Sequence, residues 1–303
     1  MSATLTASGI ARAHACPAAY ALPSVQTPPS EHASAGSAMH AFLDALQTRT
    51  RDDALTTVPE EHRAWCAAID PTRIPRGQPE IALAYDVFSG RARRLDVRAR
   101  EYAVLETEIA GTCDLYVPAI GTDPARVIDW KTGTWSAATP ESHRPQLALY
   151  ALMLARAEGL DEIRAEVVSI GDDSSVRVVA SWDYDLDTLA ETAVSVRKTW
   201  ARVQQARSAS SVDVREGEHC RYCPAWNACP AKLAAVRAVL DDVSTLTPDA
   251  IGRAYVRAMD LERWAEAVRV AARDAAQGRS LPTGDGRVVV LDSRGRLQLK
   301  KAG

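Results

Sequence analysis

The stretch from Gly111 to Gly133, GTCDLYVPAIGTDPARVIDWKTG, holds two apolar runs, and each carries an aspartate where a buried strand would carry an aliphatic residue. Strand side chains alternate between faces, so Asp129 and Lys131 share one. The linker PAIGTDPA is rich in turn formers, which lets the two runs pair antiparallel. A register with Val117 opposite Arg126 places Asp114 opposite Asp129. Directly opposed residues have Cβ atoms about 5 Å apart. Two carboxylates that close repel unless a cation stands between them. Oxygen ligands of this kind suit Mg²⁺ or Mn²⁺, and the neighbouring lysine can hold a water or neutralise developing charge. A slip of one residue removes this arrangement. A bare D-x-K also fits an ion pair on a half-solvated strand, so the tripeptide alone decides nothing.

The rest of the chain provides the frame. Its 303 residues are 47% hydrophobic, enough for one large domain or two small ones. No run approaches a membrane span. The N-terminus lacks a basic start, and Arg12 and His14 interrupt its apolar run, which predicts no signal peptide and a cytoplasmic protein with reduced thiols. The formal net charge of -3 excludes a generally basic nucleic-acid coat. The candidate for a local patch is RARRLDVRAR (Arg91, Arg93, Arg94, Arg98, Arg100), and the sequence alone favours a solvated strand face there over a nucleic-acid contact.

Leu22 to Ala38 is rich in Pro, Ser and Ala and reads as a loop, with a helix following through MHAFLDALQT. Strands are predicted in PEIALAYDVF, EYAVLETEIAGTCDLYV and RVIDWKT. A helix then runs through PQLALYALMLARAEG, with Ser142 as N-cap, Pro145 in the first turn and Gly159 at the stop. IRAEVVSI and VRVVASW form a hairpin around GDDSS. DLDTLAETAVSVRKTWARVQQA is helical, further helices extend to about residue 278, and the chain ends in a β-like tail. Strands followed by helices indicate an α/β or α+β fold with a mixed sheet. No G-x-x-x-x-G-K-[ST] is present, so the chain carries no such ATP-driven motor.

Gln146 and Tyr150 are four residues apart and share a helix face, where an amide and a phenol can meet a phosphate or a base. GTCD, VIDWKTG and QLALY, in this order, resemble the RecB-like branch of the PD-(D/E)XK nuclease superfamily, whose fold is restriction-endonuclease-like: a mixed central sheet flanked by helices. The resemblance spans roughly residues 8 to 235. It implies a metal-dependent deoxyribonuclease, with Asp114 and Asp129 binding metal, Lys131 orienting the nucleophilic water, and Gln146 and Tyr150 positioning the phosphate. GSAMHAFLDAL resembles the family's upstream helix and nominates His40 as a further metal ligand. Trp135 and nearby arginines are candidates to guide a strand. Glu80, at the head of the first strand, is a candidate for a supporting contact.

Cys220, Cys223 and Cys229 form CRYCPAWNACP. Three thiols this close in a reduced compartment point to a metal. Thiolates favour zinc or an iron–sulfur cluster, each usually with four ligands. The fourth is either His219, which favours zinc, or Cys16. Members of the resembled family with an iron–sulfur cluster, including phage-encoded and CRISPR-associated exonuclease-like ones, take one cysteine before the nuclease core and three after it. That resemblance implies a [4Fe-4S] cluster on Cys16, Cys220, Cys223 and Cys229, stapling the ends of a nuclease domain over 1–240, with Zn²⁺ as the alternative. Residues 241–303 read as a C-terminal helix and short β tail packing on the core. Cys66 and Cys113 fall outside the pattern and read as buried thiols. The resemblance further implies an exonuclease acting on single-stranded or duplex DNA ends, with any helicase a separate partner. Two rivals are a non-catalytic nucleic-acid-binding or recombination scaffold on the same fold, and a zinc-binding interaction module.

Overall fold

In a computed structural model of the chain, the described residues are 4–24, 31–96, 102–132, 140–217, 219–220, 223–232, 247–283, 287–292 and 295–301. The helices are α1 (Ile10–Ala15), α2 (Glu31–Leu46), α3 (Arg51–Leu55), α4 (Glu60–Ala67), α5 (Arg144–Glu158), α6 (Leu186–Ser208) and α7 (Pro248–Ala275). The strands are β1 (Gln78–Asp86), β2 (Ala92–Arg94), β3 (Glu108–Val117), β4 (Ala125–Thr132), β5 (Ile163–Ile170), β6 (Val176–Tyr184), β7 (Leu281–Pro282), β8 (Arg287–Leu291) and β9 (Leu297–Lys301). Two compact units divide the chain, Met1–Cys223 and Pro224–Gly303.

The first unit is built on a six-stranded sheet in the order β2-β1-β3-β4-β5-β6. Only β4 and β5 pair in parallel among the described strands. Parallel neighbours need a crossover, and α5 supplies it. The result is the mixed α/β fold expected from the sequence. Each sheet face carries its own core. On one face Ile10, Leu149, Met153, Val196 and Val203, from α1, α5 and α6, cover Leu83, Ile109, Val127 and Val167. On the other Met39, Phe42, Leu43 and Cys66, from α2 and α4, cover Leu115, Ile128, Trp130 and Val168. Cys66 and Cys113 are buried, as expected.

Local chemistry sets the helix ends. Helix α5 is buried on nearly all sides from Leu147 to Ala155, as a helix crossing between two packed layers must be. It stops at Gly159, whose φ of 69° is the left-handed conformation a helix stop requires. Asp185 caps α6 in a reciprocal pair with Thr188. Three expectations shift. Helix α2 begins at Glu31, inside the segment read as a loop, because Ala33, Ala35 and Ala38 favour helix once the prolines are past. Strand β3 begins only at Glu108. The cap of α5 is His143 rather than Ser142, which lies in a preceding 3-10 turn, Pro140–His143.

In the second unit, α7 accompanies the antiparallel sheet β7-β8-β9. Lys232 and Asp260 form an ion pair at 3.1 Å there. Among the described residues no helix is long and apolar enough to cross a membrane.

Candidate active site

The strands β3 and β4 pair as Val117↔Arg126, Tyr116↔Val127 and Leu115↔Ile128, the register the turn-rich linker implies. One step further the ladder opens. There Asp114 Oδ2 accepts the Trp130 N–H at 2.8 Å, so a side chain takes the place of a backbone carbonyl. Asp114 and Asp129 are thereby held at the seam of two separating strands, both buried. On the neighbouring strand β1 the pairing with β3 also skips a step, between Pro79↔Leu115 and Ile81↔Cys113. The skipped residue is Glu80, opposite Asp114, with φ at +49°. A side chain in that region is strained, and strain of this kind gathers at functional sites.

Helix α2 brings His40 to the same point. Its Nδ1 lies 3.4 Å from Asp114 Oδ1, and its Nε2 is 3.1 Å from the Trp130 carbonyl oxygen. A ring nitrogen of His40 and one carboxylate oxygen each of Glu80 and Asp114 all stand within 4.8 Å of one another. Oxygen ligands about 2.1 Å from Mg²⁺ can be up to about 4.2 Å apart, so a small contraction would close this group on an ion. Asp129, expected among the ligands, is not part of that trio. Its Oδ1 accepts from Gln146 Nε2 at 3.2 Å. Its Oδ2 lies 2.5 Å from Lys131 Nζ, a charged pair with the carboxylate buried and the ammonium half-buried.

The charges are unevenly held. Burial, and then the nearby Asp114 charge, raise the Asp129 pKa, against the opposing pull of Lys131. Burial also acts to raise that of Asp114, but the hydrogen bond and charge of His40, with Lys131 and the Trp130 amide, bring it below the ordinary value. Burial would lower His40, and Asp114 outweighs that and leaves it raised. The His40 imidazole and the Glu80 and Asp114 carboxylates, with the buried Asp129 beside them, are a donor set that fits Mg²⁺ or Mn²⁺.

A cavity of about 820 Å³ opens onto these groups. Tyr150 lines it with its phenol, and burial keeps that phenol protonated well above its usual pKa. The cavity is narrow at Gly111, where an added Cβ would stand 2.5 Å from Ala7 Cβ and 2.9 Å from Tyr150 Cε1. Several lining residues were not foreseen: Thr6, Ser8, Asp44, Tyr102 and Thr112. Asp44 follows His40 by four residues, so helical spacing alone would have found it. Tyr102, bonded to Thr112 Oγ1 at 2.8 Å, left no signal in the sequence.

A family model described as the PD-(D/E)XK nuclease superfamily matches residues 4–230. The chain belongs to that superfamily. The matched span contains the chain's D-W-K, Asp129–Lys131, on which the Asp114 strand and the His40 helix converge as described above. A solved structure described as "Crystal structure of SSO0001" aligns at 15% identity and a TM-score of 0.31, over 64% of this chain and 85% of that one. No curated protein matches.

The other foreseen residues distribute as follows. Arg93 is bound to Glu108 and Arg94 to Glu158 and Gln78, so these two arginines of the basic run are engaged by neighbours. Arg98, Arg100 and Trp135 lie outside the described residues. Cys16 is buried at the end of α1. Cys223 packs against the core cluster that contains Ala19 and Tyr20. Cys220 Sγ lies 3.8 Å from His219 Nε2. Cys229 belongs to the second unit.

Proposed function

We propose that the protein is a Mg²⁺- or Mn²⁺-dependent deoxyribonuclease that hydrolyses phosphodiester bonds at DNA ends, in recombination, repair or phage DNA processing. The observation that carries this reading is the meeting of His40, Glu80 and Asp114 beside a buried Asp129 that is paired with Lys131. His40, Asp114 and Asp129, with the Trp130 carbonyl and with Glu80 added to the expected set, would hold the metal. A bound divalent ion would acidify a coordinated water and neutralise charge building on the phosphate. Lys131, pinned beside Asp129, holds the attacking water in line and balances the second carboxylate. Gln146 keeps Asp129 oriented, and the Tyr150 phenol donates to a phosphate oxygen.

The same reading assigns Cys16, Cys220, Cys223 and Cys229 to a [4Fe-4S] cluster with a structural role, with Zn²⁺ as the alternative. Cys223 stands near enough to Tyr20, four residues after Cys16, to act on the pKa of its phenol, which supports it. A reduced cytoplasmic setting and a separate helicase partner complete the reading.

The test is cleavage of end-labelled linear and covalently closed circular DNA with Mn²⁺, Mg²⁺ or EDTA, by wild type and Asp129→Ala. Metal-dependent loss of linear DNA, absent from the variant, is expected. Cleavage that persists in Asp129→Ala would overturn the site assignment, and rapid nicking of circles would overturn the preference for ends. Iron, sulfide and zinc analysis after anaerobic purification, with Cys16→Ala alongside, decides the cluster. Zinc without iron would refute the iron–sulfur assignment.

A further inference from the structure

Phe88 stands on the turn after β1 and is 53% exposed, yet its ring is held in place. Trp200 of α6 meets it edge-on, with centroids 5.1 Å apart and planes at 80°. Arg197, one turn earlier on α6, lays its guanidinium 5.3 Å from the ring centroid. Orienting an aromatic without covering it is how a stacking platform is built.

The charge around this ring is unmatched. Arg93, Arg94, Arg126 and Arg164 each hold a carboxylate. Arg202 and Arg207 donate to the carbonyls of His14 and Tyr20. Arg197 is exposed and pairs with no carboxylate among the described residues, and neither does exposed Arg156. Both stand near enough to the Tyr85 phenol to oppose the rise that burial imposes on its pKa. The nearest acid on this turn, Asp86, is turned inward onto the Phe88 and Ser89 amides and the Thr107 hydroxyl. From Thr192 to Ser208, α6 contains no acidic residue at all.

We propose that Phe88, Trp200, Arg197 and Arg156 form a second contact for single-stranded nucleic acid, one sheet length from the metal site. An exposed ring, steadied by a half-buried Trp200 and set beside guanidiniums that pair with no carboxylate among the described residues, matches a polymer of bases joined by phosphates. From Glu80 to Asp86 β1 advances about 20 Å at about 3.3 Å per residue. That equals about six stacked nucleotides at about 3.4 Å each. A strand with its end at the metal would therefore reach the platform only when longer than that. The inference rests on the nuclease reading for the direction of the strand, and its test does not depend on cleavage.

The experiment measures anisotropy of fluorescein-labelled dT4 and dT20 in EDTA across a salt series. It compares wild type with Phe88→Ala and with Arg156→Gln/Arg197→Gln, all changes at exposed positions. Phe88→Ala should weaken dT20 binding about 5- to 100-fold and leave dT4 unchanged. The double variant should lower the slope of log K against log salt by about 1.4, about 0.7 for each phosphate no longer neutralised. Wild-type affinity and slope in both variants overturn the proposal, and so does wild type that fails to bind dT20. Wild type that binds dT20 but cleaves nothing with Mn²⁺ refutes the nuclease reading, while the variants still decide the platform.

Discussion

Replacing Glu80 by glycine and by alanine separates the strain at this position from the chemistry of its carboxylate. Both changes delete the carboxylate, so the pair differs only in how each residue tolerates φ at +49°. The left-handed conformation costs a residue with a Cβ about 1–2 kcal/mol. Glycine is exempt but loses about 0.5–1 kcal/mol more chain entropy than alanine on folding. The difference leaves Glu80→Gly more stable than Glu80→Ala by about 0.5–1 kcal/mol. At an ordinary strand position the order is the reverse, by a similar amount. For a domain of 150–250 residues about 1 kcal/mol moves Tm by about 2–4 °C, so the two variants should be separated by about 1–4 °C. The assay is thermal unfolding of both proteins in EDTA, followed by a Mn²⁺ titration. Saturation at about 100 times Kd stabilises a metal-binding protein by about 2.7 kcal/mol, and both variants should gain less than wild type. Glu80→Ala melting at or above Glu80→Gly would refute the strain argument. Full Mn²⁺ stabilisation in both would remove Glu80 from the metal site.

Gly111→Ala should destabilise the first unit by about 1–3 kcal/mol, because its Cβ would press on Ala7 and Tyr150, and urea midpoints measure it. Mn²⁺ affinity should rise with pH, because His40, whose pKa the Asp114 contact raises above its usual value against the opposing effect of burial, must give up its proton to ligate; calorimetry in buffers of different ionisation enthalpy counts that proton. Burial, followed by the Lys131 charge, lowers the His143 pKa to about 4. Its depressed value means that the unfolded chain takes up the proton first, so stability present above about pH 6.5 is lost as pH falls toward about 4. Denaturation midpoints of His143→Gln across that window should fall less steeply than those of wild type.

Much of the site could be read from residues alone because its parts obey local periodicities. Alternation put Asp129 and Lys131 on one face, and the linker fixed Val117 against Arg126. Helical spacing put Gln146 and Tyr150 on one side of α5, although Gln146 turned out to hold Asp129 directly. What stayed hidden depends on departures from periodicity. The opening of the β3–β4 ladder follows from a side chain replacing a carbonyl, which no alternation pattern encodes. The meeting of Glu80, read from the sequence as a supporting residue, with His40 and Asp114 follows from one backbone angle. Tyr102 reaches the cavity through a segment with no regular structure, so nothing in its neighbours announced it.

The bond from the Trp130 amide to Asp114 has a practical use beyond holding two strands together. An amide proton that leans on a carboxylate reports that carboxylate's electron density. When a cation draws on the other Asp114 oxygen, the bond should slacken, and the nitrogen-15 resonance of this one residue should shift. An ion at the proposed site would thus announce itself at a single amide, readable in solution without substrate or turnover.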